Sequence, residues 1–150
     1  METATTALRL GATLENLETL SRAFQRFVAP FPLDPAAIYQ LDLAASEAFS
    51  NIVRHGVDYD ARQTIEVTMS LSSGAITLTL FDTGRPIPAD ILQAVADKQR
   101  SFPEPGALEN WPESGIGLIL IYSMMDKVRY RTADGRNELI LTKNTMGERT

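Results

Sequence analysis

The chain has 150 residues, 44% of them apolar, enough for one compact domain that buries about two-thirds of its unfolded surface. Nineteen acidic residues against 14 basic ones give a net charge of −5, which argues against a nucleic acid as partner. Cysteine is absent, which excludes a disulfide framework and a thiolate nucleophile. With no signal-like or membrane-spanning apolar segment either, the composition favours a cytoplasmic protein without a membrane partner.

The N-terminal third predicts a strand and two helices. Apolar residues at positions 8 and 10 indicate the strand, and Thr13 is the expected cap of a first helix with apolar residues at helical spacing. A second helix is predicted to start at Asp34 and Pro35, because Asp caps free amides and Pro at the first helical position loses no hydrogen bond. This helix is expected to run to about His55.

Strict alternation of apolar and polar residues from 64 to 71, and again from 76 to 80, predicts two strands with one buried face each. The sequence Ser72-Ser73-Gly74 between them is typical of a turn, so the pair is an antiparallel hairpin. Asp82 is then expected at the end of the second strand.

The remaining chain predicts a short helix at 89–98, an irregular segment at about 99–114 interpreted as a lid, and a helix from Gly115. Two closing strands follow around a turn at Asp134 and Gly135. The predicted fold class is α+β, a two-layer sandwich with a mixed, mainly antiparallel sheet and helices on one face.

Glu47 and Asn51 are four residues apart, which makes them neighbours on the second helix. They could be the solvated flank of an amphipathic helix. They could also form a site, in which the Asn51 oxygen binds Mg²⁺, an ion that prefers hard ligands, and Glu47 accepts a proton.

Asp82 follows an apolar strand and precedes the turn Thr83-Gly84. A carboxylate there can accept a hydrogen bond from an amino group such as adenine N6, with Gly84 allowing a ring to approach the backbone. An ordinary Asp-x-Gly turn after a strand is the alternative interpretation.

Gly115 and Gly117 lie where the irregular segment becomes a helix. Helix-start amides carry partial positive charge, and glycine lets phosphate oxygens approach them closely. A flexible hinge explains the same residues. The P-loop and dinucleotide-binding patterns are both incomplete here. The single histidine, His55, is interpreted as a partner of helix-end carbonyls instead of a catalytic group.

Together, the segments 47–51, 82–86 and 115–117 resemble the N, G1 and G2 boxes of the Bergerat-fold, histidine-kinase-like ATPase superfamily in order and spacing. Within it the resemblance is to the small anti-sigma-factor serine/threonine kinases, single domains of about this length. Pro86 departs from the superfamily G1 pattern, in which a second glycine stands at this position, but is familiar in that subgroup.

This resemblance implies that ATP and Mg²⁺ are cofactors, that Asn51 binds Mg²⁺, that Glu47 is the catalytic base, and that Asp82 recognises adenine. Further nucleotide contacts are expected from Gly84, Gly115, Ile116, Gly117 and Leu118. Phosphoryl transfer depends mostly on positioning and charge neutralisation, so a cation near the lid is also expected, with Lys98, Arg100 and Arg54 as the candidates.

The function implied is that of an ATP-dependent serine/threonine protein kinase and anti-sigma factor. Its expected partners are a sigma factor and an anti-anti-sigma antagonist, which it phosphorylates, and a homodimer is expected by resemblance. The main alternative is a non-catalytic ATP-binding module that sequesters a protein partner. A plain α+β interaction domain is the third hypothesis.

Overall fold

The computed structural model describes residues 3–98 and 113–145. In chain order the elements are β1 (Ala4–Gly11), α1 (Asn16–Val28), α2 (Pro35–Asn51), a π-helical turn (Ile52–Gly56), β2 (Thr64–Ser72), β3 (Ala75–Asp82), α3 (Ala89–Lys98), α4 (Glu113–Met124), β4 (Lys127–Ala133) and β5 (Arg136–Asn144).

The five strands form one sheet in the order β1-β2-β3-β5-β4, and all four neighbouring pairs are antiparallel. Alternate residues of the central strands face the helices and are buried, as the sequence alternation predicts. The predicted α+β class with its mainly antiparallel sheet is therefore confirmed. The core lies between the sheet and the helices and includes Phe24, Leu41, Phe49, Leu78 and Ile121.

The predicted start of α2 is confirmed, since the Asp34 side chain accepts a hydrogen bond from the Ala36 amide at 3.2 Å. The predicted cap of α1 is wrong. Thr13 precedes a turn in which its carbonyl accepts from the Asn16 amide, and the helix begins only at Asn16.

The predicted end of the second helix near His55 is only partly right. Regular α-helix ends at Asn51, and a π-helical turn continues it to Gly56, where the Val57 amide donates to the Ile52 carbonyl at 2.9 Å. The Gly56 carbonyl accepts from the Arg85 amide at 2.8 Å. This wider turn thus joins the end of α2 to the turn after β3.

Within the two described ranges, no helix combines the length and the apolar character that crossing a bilayer requires. The predicted lid lies outside the described residues except for Glu113 and Ser114, which already belong to α4. Of the cation candidates, Arg100 also lies outside them, as does the side chain of Lys98.

Candidate functional site

A pocket of about 560 Å³, including the part open to solvent, lies where α2, the end of β3 and α4 meet. Its wall combines apolar surface with a few polar groups, which is typical of small-molecule sites. Residues of the first two sequence motifs line it, together with Leu118, which directly follows the third. The lining residues are Ala48, Asn51, Ile52, His55, Gly56, Asp82, Arg85, Pro86, Ile87, Pro88, Leu118, Tyr130 and Leu139.

Asp82 is held at the pocket by a polar chain across three strands. It continues the buried face of β3, is 7% exposed, and lies directly opposite Asn137 of β5. Its Oδ1 accepts from the Gly84 amide at 2.8 Å and from Asn137 Nδ2 at 3.0 Å. Asn137 Nδ2 also donates to the Gly84 carbonyl at 2.9 Å, and Asn137 Oδ1 accepts from Thr132 Oγ1 at 3.1 Å.

The carboxylate of Asp82 is electrostatically unusual. Burial raises its pKa above the ordinary value, while the hydrogen bonds from Asn137 and the Gly84 amide partly oppose that rise. Burial also raises the pKa of the nearby Tyr130 phenol, and the negative charge of Asp82 adds to this effect. The Tyr130 hydroxyl accepts from the Ile87 amide at 2.9 Å, which ties β4 to the segment after the β3 turn.

Asn51 and Gly117, which come from different motifs, are in direct contact where α2 packs against α4. A Cβ placed on Gly117 would lie 2.9 Å from Asn51 Nδ2 and 3.1 Å from Oδ1. Only glycine therefore lets the Asn51 amide keep its position. This contact gives Gly117 a role that does not depend on phosphate binding.

Gly84 has an equally specific packing role. A Cβ on it would lie 2.4 Å from the Gly56 carbonyl oxygen and 2.8 Å from Val57 Cγ1. The turn after Asp82 thus lies directly against the π-helical turn, and there is no room for a side chain. Whether Gly84 also contacts a ligand stays a prediction.

The predicted site residues fall into two groups in the described structure. Asn51, Asp82 and Leu118 line the pocket. The other predicted site residues are not among its described lining residues: Glu47, Gly84, Gly115, Ile116 and Gly117. Glu47 is half-buried one helical turn before Asn51 on α2. The cation candidate Arg54 is half-buried and already has a partner within the fold.

Sequence reasoning missed three polar residues of this region: Asn137 and Tyr130 as site residues, and His55 as a pocket residue. His55 lines the pocket, and its Nε2 is buried without a hydrogen-bond partner among the described residues. No helix-end carbonyl holds that atom. Position 137 could have been found only by asking which residue the sheet register places opposite Asp82.

No group of three or more His, Cys, Asp or Glu able to hold a metal is found in the described ranges.

The fold and this pocket define a nucleotide-binding ATPase domain, and comparison with family models gives the same answer. The model of the histidine kinase-like ATPase domain matches residues 10–143. The chain belongs to this family. As a member of an ATPase family, it uses ATP.

Among curated proteins, the chain is similar to two anti-sigma F factors. That of Geobacillus stearothermophilus is 27% identical over 95% of this chain and 92% of its own length, and that of Geobacillus kaustophilus is 30% identical over 81% and 78%. A serine-protein kinase RsbW of Bacillus cereus is 27% identical over 69% of this chain and 62% of its own length.

Two solved structures share the fold. One contains the RsbU and RsbW domains of a Mycobacterium tuberculosis protein, with a TM-score of 0.66 and 19% identity over 95% of this chain and 32% of that one. The other is the SiaB-SiaC complex of Pseudomonas aeruginosa, with a TM-score of 0.62 and 14% identity over 91% and 88%. At these identities the likeness concerns the fold alone.

Proposed function

We propose that this protein is an ATP-dependent serine/threonine protein kinase and anti-sigma factor, which phosphorylates an anti-anti-sigma antagonist in a partner-switching system. The observation that carries the proposal is that one pocket brings together Asn51 and Asp82, from the first two motifs, and Leu118, which directly follows the third. The relatives named anti-sigma F factor and serine-protein kinase RsbW support the same function. A cytoplasmic location and a homodimer are further parts of this proposal.

One part of the pocket has the polar and apolar groups that suit the adenine base of ATP. Asp82 Oδ1 is saturated by two donors, while Oδ2 receives none among the described residues and can accept from the adenine amino group. His55 also lines the pocket, and its buried Nε2 has no hydrogen-bond partner among the described residues. Apolar residues such as Ile52, Ile87 and Leu139 surround these groups and suit a planar base.

At the phosphate end, Asn51 would supply an oxygen to Mg²⁺, which typically binds through few protein ligands together with substrate phosphates. When bound, the ion neutralises charge on the phosphates that react. The absence of a side chain at Gly117 leaves room for the Asn51 amide in its present position. Glu47, one turn earlier on the same helix, would accept the proton of the attacking serine or threonine hydroxyl.

The test is transfer of label from [γ-³²P]ATP to candidate antagonist proteins. Glu47→Ala is expected to abolish transfer while ATP affinity stays within about threefold of the wild type, because a base acts in the transition state and not in ground-state binding. Glu18→Ala is the matched control, since Glu18 is an exposed residue of α1 that pairs with Arg22 at the surface. Undiminished transfer by Glu47→Ala would refute the role of Glu47.

The non-catalytic module is favoured by one observation, namely that Glu47 is not among the described lining residues. If the wild-type protein binds ATP and captures a partner but labels none, this alternative replaces the kinase. A pull-down with and without ATP, followed by identification of the bound and phosphorylated proteins, names the partners in either case. If no Mg²⁺-dependent ATP binding is measured by calorimetry, both nucleotide-dependent functions fail.

A further inference from the structure

Asn137 is the most completely buried polar side chain next to the pocket, at 1% exposed, and no sequence motif includes it. The antiparallel register of β3 and β5 places it directly opposite Asp82. Burying an amide is costly unless its polar atoms are hydrogen-bonded. Here the polar atoms of the Asn137 amide are all hydrogen-bonded, which offsets the cost of burying them.

The hydrogen-bonding capacity of the Asn137 amide shows how it acts. Its two hydrogens go to Asp82 Oδ1 and to the Gly84 carbonyl, and its oxygen accepts from Thr132. No donor remains for a ligand. Any effect of Asn137 on a bound nucleotide must therefore pass through Asp82 or through the turn at Gly84.

The effect on Asp82 is to make its two oxygens unequal. Oδ1 accepts from Asn137 at 3.0 Å and from the Gly84 amide at 2.8 Å, whereas no described residue donates to Oδ2. Two donors on one oxygen fix the rotation of the carboxylate, so the other oxygen has a defined direction. A fixed acceptor favours a ligand that presents a donor at the matching position.

We infer that Asn137, itself oriented by Thr132, is a positioning residue for base recognition: it holds Asp82 so that Oδ2 accepts from the amino group of a 6-aminopurine. The inference rests on the proposed ATP binding and adds to it the residue that sets base preference. A purely structural alternative exists, in which Asn137 only joins the end of β5 to the Gly84 carbonyl. The two roles differ in what they predict for ligands that lack the amino group.

The experiment compares the dissociation constants of ATP and of purine riboside 5′-triphosphate, which lacks only the 6-amino group. The wild type is expected to prefer ATP by about 10- to 100-fold, because a hydrogen bond to a charged group contributes on this order. In Asn137→Ala the preference should fall below about threefold, because an unheld carboxylate no longer meets the amino group in one geometry.

Leu141→Ala is the control for loss of stability. Leu141 is fully buried on the same face of β5 and is not among the described pocket-lining residues. This variant should melt at a lower temperature and keep the wild-type preference for ATP. Loss of the preference in this control as well would assign the effect to general destabilisation and overturn the inference.

Acidity provides a second measurement on the same carboxylate. Protonation of Asp82 removes its acceptor, so the preference for ATP in the wild type should decline as pH falls. The hydrogen bond from Asn137 lowers the pKa of Asp82, so the smaller preference that remains in Asn137→Ala should decline from a higher pH. Other titratable or charged groups on the described pocket wall are His55, Arg85 and Tyr130, and these are unchanged in the variant.

The outcomes separate the inference from the proposed function. If the wild type binds both triphosphates equally well, adenine recognition by Asp82 fails, and the inference fails with it. If Asn137→Ala keeps the full wild-type preference for ATP, the inference alone is overturned. Should Asn137→Ala not fold, Thr132→Val, at an exposed position, replaces it. The preference for ATP is expected to drop by about threefold in this variant. An unchanged preference in Thr132→Val overturns the inference.

Discussion

Replacing Gly117 by alanine should separate activity from stability in this protein. The new Cβ would lie 2.9 Å from Asn51 Nδ2, whereas an ordinary contact is about 3.5 Å, so the amide must move by roughly 0.6 Å. Displacements approaching 1 Å in a catalytic constellation reduce rates by up to about 100-fold. We expect phosphoryl transfer by Gly117→Ala to fall by about 10- to 100-fold.

Folding should not suffer in the same variant. Gly117 lies inside α4, where alanine is favoured over glycine by up to about 1 kcal/mol, and the atoms that must move belong to a side chain and not to the backbone. For a domain of this size, such a gain raises the melting temperature by about 3 °C at most. The melting temperature is therefore expected to stay level or rise while activity is lost.

The assay measures label transfer and Mg²⁺-dependent ATP affinity beside thermal unfolding, with Gly135→Ala as the matched control. Gly135 lies in the β4–β5 turn with φ of +75°, and a Cβ there meets nothing within 4 Å. The control should therefore lose about 1 kcal/mol of stability through backbone strain and keep its activity. Full activity of Gly117→Ala, or its failure to fold, would refute the reasoning about the Asn51 contact.

Three further predictions concern stability. Gly84→Ala should lower the free energy of unfolding by about 3 kcal/mol or more in urea titration, because its Cβ would overlap the backbone of Gly56; a wild-type midpoint would contradict this. Asp34→Ala should lose about 1 kcal/mol of stability in the same titration with no change in ATP affinity, since it removes the cap on the Ala36 amide. Asp82→Asn should lose ATP binding in calorimetry, and its stability relative to the wild type should improve as pH rises from 4 to 7.

The sign of the last effect follows from proton linkage. Because the pKa of Asp82 is raised in the folded state, the folded protein binds more protons than the unfolded chain between the two pKa values. Wild-type stability therefore falls as pH rises through that window, whereas the neutral amide of Asp82→Asn carries no such penalty. A stability difference that does not vary with pH would show that Asp82 is not perturbed as described.

Most secondary structure could be predicted from the sequence because its causes are local. Alternation in β2 and β3 depends on which face of the sheet each residue occupies, and the start of α2 depends on Asp34 and Pro35 alone. The cap of α1 was wrong because the turn after β1 uses the Thr13 carbonyl and delays the helix to Asn16.

The family and the fold class were also predicted from sequence and are confirmed by the family match over residues 10–143. The three motifs have fixed order and spacing, so they identify a nucleotide-binding arrangement even before any distance is known. The roles of Glu47 and Asn51 in catalysis and Mg²⁺ binding stay predictions. These roles concern reactions with bound ligands, and neither the spacing of residues in the sequence nor their packing in the protein tests them.

Only the tertiary structure decided how the motifs depend on one another. Sequence determined that Asp82 ends a strand, but the register of β3 and β5 decided that Asn137, 55 positions further on, holds its carboxylate. Helix packing likewise decided that only glycine at position 117 leaves room for the Asn51 amide. Such contacts join residues far apart in sequence, and they follow from the mutual placement of whole elements, which no local pattern of residues specifies.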